Sequence, residues 1–208
     1  VKPGERDHIY GITSNGEEAR ALAIVERSSR PAFAGPSVRL RPVIEDDLPK
    51  LAEWDDDPEI TRWAGKRFEQ DEDAREWYLS GGNLQRRTFA IETRPDGLIG
   101  EIEVINISWR LHSAEIRILI GRKDLWDQGL GEESMRVLVH GLFQSTSLTE
   151  VFLRVDEGNR RARRCYAKVG FKPRGRVHLR SDKPSTLVLM KLDRRDLETP
   201  GCSHEGRG

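Results

Sequence analysis

A strand that runs into glycines and then into a helix constrains this chain more than any other feature. Ile116-Arg-Ile-Leu-Ile120 is an apolar, branched run that reads as a buried strand. Trp126-Asp-Gln-Gly-Leu-Gly-Glu-Glu133 follows, and residues 135–143 then show helical apolar spacing. Gly129 and Gly131 therefore stand where a strand-loop becomes a helix N-terminus. Glycines there let backbone N–H groups approach an anion closely, and the helix dipole adds positive potential. Taken alone, the pattern fits either an anion cradle or an ordinary turn. It is not a P-loop, which ends in Gly-Lys-Ser/Thr, and Ser134 fills the third glycine position of the dinucleotide fingerprint.

The 208 residues suffice for one domain with extensions. Thirty-five basic and thirty-five acidic residues cancel, so no global field draws the chain to nucleic acid or membrane. No apolar run approaches the roughly 20 residues of a spanning helix, and the N-terminus lacks a signal-peptide core. The chain opens at Val1, which reads as a trimmed start or a literally translated alternative start codon. Cys165 and Cys202 lack metal-ligand spacing, and a structural disulfide between them is not expected. A cytoplasmic location is the expectation.

Residues 1–36 read as an N-terminal extension and linker, with one short helix through Ala21-Leu-Ala-Ile-Val25. Residues 37–194 read as the domain, and 195–208 as a disordered tail. Within the domain the alternation at 38–43 predicts a first strand. Helices are expected through Leu51 and Trp54, from Pro58, and from Asp71 to Trp77. Strands are expected at 87–92, 98–107, 112–121, 150–155, 171–178 and 185–192. A further helix, 159–168, is stopped by Gly170. Hairpins mixed with crossovers predict an α/β or α+β domain with one mixed sheet.

The block Asn159-Arg-Arg-Ala-Arg-Arg-Cys-Tyr-Ala-Lys-Val-Gly-Phe171 gives the glycines a context. Together the two stretches resemble motifs A and B of the GNAT superfamily of N-acetyltransferases. Motif A is Gln/Arg-x-x-Gly-x-Gly/Ala after a strand. Asn159, Arg161, Ala162, Arg164, Tyr166, Gly170 and Phe171 match motif B in spacing. Trp126 departs from the Gln/Arg slot, an aromatic being frequent there in the branch that resembles ribosomal-protein N-terminal acetyltransferases. The resemblance spans about residues 38–192, including Leu40-Arg-Pro42. It implies a mostly antiparallel sheet flanked by helices, with a central parallel strand pair that splays apart.

The resemblance also implies acetyl-CoA as co-substrate. Backbone N–H groups of Gln128, Gly129, Leu130, Gly131 and Glu132 would bind its pyrophosphate. Ile118 and Ile120 would bond the pantetheine arm as an added pseudo-strand, and Asn159 would bond it from the other side. An amide of Ile118 or Leu119 would stabilise the oxyanion. Tyr166 takes the family's place of the acid that serves the departing thiolate; its other reading is helix-to-sheet packing.

The base is open between readings. Glu101 and Glu103 share one strand face, Glu115 and Arg117 share one face of the next. If Glu103 lies opposite Glu115, two carboxylates approach and one becomes a working base. If the register differs, Arg117 makes a plain cross-strand ion pair. Spermidine acetyltransferases are similar here, with a glutamate at the Glu103 position and the same Ser113-Ala-Glu115. Aminoglycoside acetyltransferases are similar through Glu53-Trp54, Trp63-Ala-Gly65 and the 164–171 block, but carry an aspartate where this chain has Arg117.

The acids Asp46, Asp47, Glu53, Asp55, Asp56, Asp57 and Glu59 are either a lining that attracts a cationic acceptor or helix-terminal charges. The expected partner is therefore a small-molecule amine or a peptide acceptor, with no nucleic acid, membrane or metal; a homodimer is compatible with this. Three functions stay open: transfer to a small cationic amine, transfer to a protein N-terminus or lysine, and a non-catalytic CoA-binding sensor or interaction module.

Overall fold

The computed structural model describes residues 33–64, 86–179 and 185–198. The helices expected at 21–25 and 71–77 lie outside these residues. Eight strands form one sheet: β1 Phe33–Ala34, β2 Val38–Pro42, β3 Arg87–Thr93, β4 Gly97–Ser108, β5 Ser113–Ile120, β6 Glu150–Asp156, β7 Lys172–Leu179 and β8 Ser185–Asp193, in the order β1-β2-β3-β4-β5-β6-β8-β7. Every neighbouring pair is antiparallel except β5 with β6. The helices are α1 Leu48–Asp56, α2 Pro58–Ala64, α3 Leu130–Ser145, α4 Arg160–Val169 and α5 Arg194–Glu198.

Two segments differ from the sequence reading. Phe33 and Ala34, expected in the linker, pair with Leu40 and Arg39 as β1. The Phe33 ring covers Gly141 of α3, where an added Cβ would meet it at 2.2 Å, and packs edge-on to Phe89. Residues 195–198, expected in the tail, continue as α5. Both are short pieces whose order comes from packing and not from their own composition.

Strand alternation divides the sheet into two faces. On one face α3 presents Met135, Leu138, Val139 and Leu142, an i, i+3, i+4, i+7 stripe, to Leu40, Phe89, Ile91, Ile102, Val104 and Ile116. On the other face α1 and α2 cover β4 and β5 through Leu51, Trp54 and Ile60 against Leu98 and Leu119. Gly121 permits this cover, since an added Cβ would lie 1.9 Å from the Trp54 ring. Arg41 fastens the start of α1 to the sheet. It donates to both Asp47 oxygens (2.6 and 2.8 Å) and to Glu92 (2.9 Å), and Asp47 also accepts the Ile44 amide.

Candidate active site

β5 has two unlike edges. One edge is laddered to β4 along its length, from Gly100 opposite Ile120 to Ser108 opposite Ser113, with a bulge between Ile105 and Ser108. The other edge pairs with β6 for three steps only, ending at Glu115 opposite Phe152, after which the strands part. The Gly121 amide donates to Ile99 on the β4 side. By alternation Leu119 addresses β4, while Ile116, Ile118 and Ile120 address the gap. The Ile120 carbonyl agrees: it accepts the Trp126 indole N–H at 2.7 Å. Ile118 and Ile120 thus turn their backbone groups toward the gap. Leu119 does not, because alternate residues turn their backbone groups to opposite edges; its side chain packs on the Leu51–Trp54 cluster.

The glycines stand at the end of this gap. Gly129 caps α3 at φ 84°, a left-handed backbone that glycine takes without strain. The first-turn amides of Leu130, Gly131 and Glu132 have no partner within the helix. An added Cβ at Gly131 would meet only Ile120 Cγ1, at 3.7 Å, and at Gly129 nothing within 4 Å, so the backbone here is bare. Glu132 and Glu133 would repel an anion, yet both are engaged elsewhere. Glu133 accepts the Ser37 and Val38 amides at 2.6 and 3.1 Å. Glu132 pairs with Arg136 at 2.9 Å and lies 3.8 Å from Lys168. A cation is held instead: the Arg161 guanidinium sits 3.7 Å from the centre of the Trp126 ring. The side chain of Gln128 turns back to the Asp124 carbonyl, leaving its backbone as the part that faces the cradle reading.

α4 runs on the β6 side. Asn159 is its N-cap, its Oδ1 accepting the Ala162 amide at 3.1 Å, and Gly170 ends it at φ 116°. Tyr166 is half-buried with its ring 6.2 Å from that of Phe171. Burial pushes its phenol well above the ordinary range; Cys165 adds to the shift and Arg161 opposes it. The phenol therefore stays protonated at any working pH.

The face away from α3 carries the carboxylates. Glu101, Glu103 and Glu115 are each no more than 2% exposed. Glu103 lies opposite Arg117, not Glu115, and the same register sets Glu115 opposite Ile105, so the two carboxylates are not a directly facing pair. Thr88 Oγ1 lies 3.5 Å from Glu103. Glu115 receives Arg154 of β6 at both oxygens, 3.0 and 2.7 Å, and Asn106 at 2.8 Å. Sequence reasoning missed Arg154. Its one signal was a charge between apolar Leu153 and Val155, and its partner lies on a strand far away in the chain.

The acids around α1 and α2 are largely structural. Asp47 serves Arg41, Glu53 pairs with Lys50, and Asp57 and Glu59 both hold Lys123 (2.8 and 3.1 Å), which ties α2 to the loop leading into the cradle.

Residues 37–172 match the family model described as an acetyltransferase (GNAT) domain. No curated protein matches. Among solved structures, spermidine N-acetyltransferase from Vibrio cholerae, in complex with CoA and spermine, shares the fold at TM-score 0.72 and 20% identity, covering 79% of this chain and 100% of that one. Aminoglycoside acetyltransferase AAC(6')-Ib, in complex with coenzyme A, gives TM-score 0.65 and 29% identity over 78% of this chain and 98% of its own. With well over half of its length inside the family model, the chain belongs to the GNAT N-acetyltransferases, enzymes that use acetyl-CoA as co-substrate.

Proposed function

We propose that this enzyme moves an acetyl group directly from acetyl-CoA to a primary amine of a small cation, polyamine- or aminosugar-like, within a ternary complex. The observation that carries this reading is the row of buried carboxylates beside the strand with the open edge. Glu101 and Glu103 on β4 set two carboxyl groups side by side on one buried face, the chemistry that would receive an ammonium group.

Acetyl-CoA, when bound, supplies a thioester carbonyl. The bare backbone at Gly129 and Gly131 fits a pyrophosphate, with donors from Gln128 to Glu132. Ile118 and Ile120 would hold the pantetheine arm along the gap, and the Ile118 amide would serve the carbonyl oxygen. Asn159 spends its oxygen on the cap, so its Nδ2 is the donor for the arm. Tyr166 holds a proton on Oη for the departing sulfur. Glu103 is the better base of the two candidates, directly or through water. Both oxygens of Glu115 are already held by Arg154, which ties it to β6.

The test is an acetylation screen with polyamines, aminoglycosides, amino acids and basic peptides, read as CoA thiol release. Turnover of a polyamine or aminosugar supports the reading. Turnover of peptide N-termini or lysines alone overturns it in favour of a protein acetyltransferase. Acetyl-CoA binding without turnover of any acceptor favours a sensor.

A further inference from the structure

The β5–β6 pair ends at a definite side-chain arrangement. Glu115 opposite Phe152 is the last paired step. Two residues further on, a continued register would set Arg117 beside Arg154. Like charges directly opposite destabilise a strand pair. Both arginines instead turn to one carboxylate. Arg154 grips Glu115 with two bonds, 3.0 and 2.7 Å, and Arg117 Nε lies 3.9 Å from Glu115 Oε1. Asn106 holds the same carboxylate at 2.8 Å from the bulge in β4, where its φ of 50° is one asparagine tolerates. Glu115 is 2% exposed and Arg154 half-exposed, so the pair is anchored on the β5 side and reaches out to β6.

We propose that Glu115 is a positioning residue: with Arg154 it forms a clasp across β5 and β6 that sets where the strands part and how wide the gap opens. Arg117 and Arg154 push the strands apart beyond Glu115, and Glu115 limits the parting. The inference rests on reading the gap as the slot for the acetyl-CoA arm. Glu115 then affects acetyl transfer through the spacing of Ile118 and Ile120 from β6, and not by taking a proton.

The experiment compares wild type, Glu115→Gln, Arg154→Lys and the double variant E115Q/R154M, the last of which removes the clasp without leaving a lone buried charge. Amide hydrogen exchange is followed by NMR on the protein without ligand, and acetyl-CoA binding by calorimetry. In the double variant, exchange at Ala114 and Phe152 should accelerate about tenfold while Ile91 and Ile102 keep their protection, and the acetyl-CoA Kd should rise about tenfold. Arg154→Lys should restore part of both, and the KM for acetyl-CoA should rise more than kcat falls. Unchanged exchange overturns the clasp, whether or not binding weakens; weaker binding alone would put Arg154 on the ligand. A collapse of kcat in Glu115→Gln at unchanged Kd also overturns it and restores Glu115 as base. If wild type fails to bind acetyl-CoA, the reading of the gap falls, while the exchange comparison still decides the clasp.

Discussion

The two edges of β5 offer the comparison that explains this molecule. Toward β4 the strand is paired from Ser113 to Ile120, and its backbone groups are spent on the fold. Toward β6 it is paired only from Ser113 to Glu115, and Ile118 and Ile120 beyond have no strand partner on that edge. Buried backbone groups are rarely left unsatisfied. Under the proposed function, the edge that stops pairing is where the acetyl-CoA arm would complete the ladder. One strand of eight residues would then serve stability on one edge and function on the other.

Substitutions on the two edges should separate these roles. Gly131→Asp, at the end of the open edge, adds bulk and negative charge to the bare cradle. It should weaken acetyl-CoA binding by at least ~100-fold while leaving thermal stability near that of wild type. Undiminished binding in a titration would remove the cradle. Tyr166→Phe should lower kcat about 10- to 100-fold with little change in acetyl-CoA affinity. Steady-state kinetics paired with binding checks this, and an unaltered kcat would return Tyr166 to a packing role.

The closed edge should respond in the opposite currency. Gly100→Ala directs a Cβ to 2.2 Å from the Leu119 carbonyl of the β4–β5 ladder. It should cost about 1–3 kcal/mol of stability in urea unfolding, with binding by the remaining folded protein intact. Loss of binding without loss of stability would break the comparison. Trp126→Phe removes the indole bond to Ile120 on the open edge, a change of about 1 kcal/mol or roughly fivefold in acetyl-CoA affinity. Weaker binding is the expected result, read by calorimetry; tighter binding would show that Trp126 competes with the arm.

The smallest effect concerns Cys165, next to Tyr166. Burial, aided by Glu132, pushes its thiol up to about 11. A raised value keeps the thiol neutral, so at pH 8 only about one molecule in a thousand carries the thiolate. Iodoacetamide should label the native protein slowly, and faster by about tenfold per pH unit toward 10. Rapid labelling at pH 8 would show that the α4 face is more open than its packing implies.

Much of this was legible in the chain itself. The alternation at Val38–Pro42, the apolar stripe of α3, and the caps Gly129, Asn159 and Gly170 are local signals, set by residues within a few positions of each other. They determined the elements, the glycines at the start of α3, and the place of Tyr166 on α4. The third dimension decided which partner each charge meets. Glu103 lies opposite Arg117 because the β4–β5 register sets it there, and Glu115 meets Arg154 because a parallel crossover brings β6 beside β5. Leu119 faces away from the gap for the same reason: one residue of register reverses which edge and which face a residue serves. Register is a property of two strands together, and neither strand's sequence contains it.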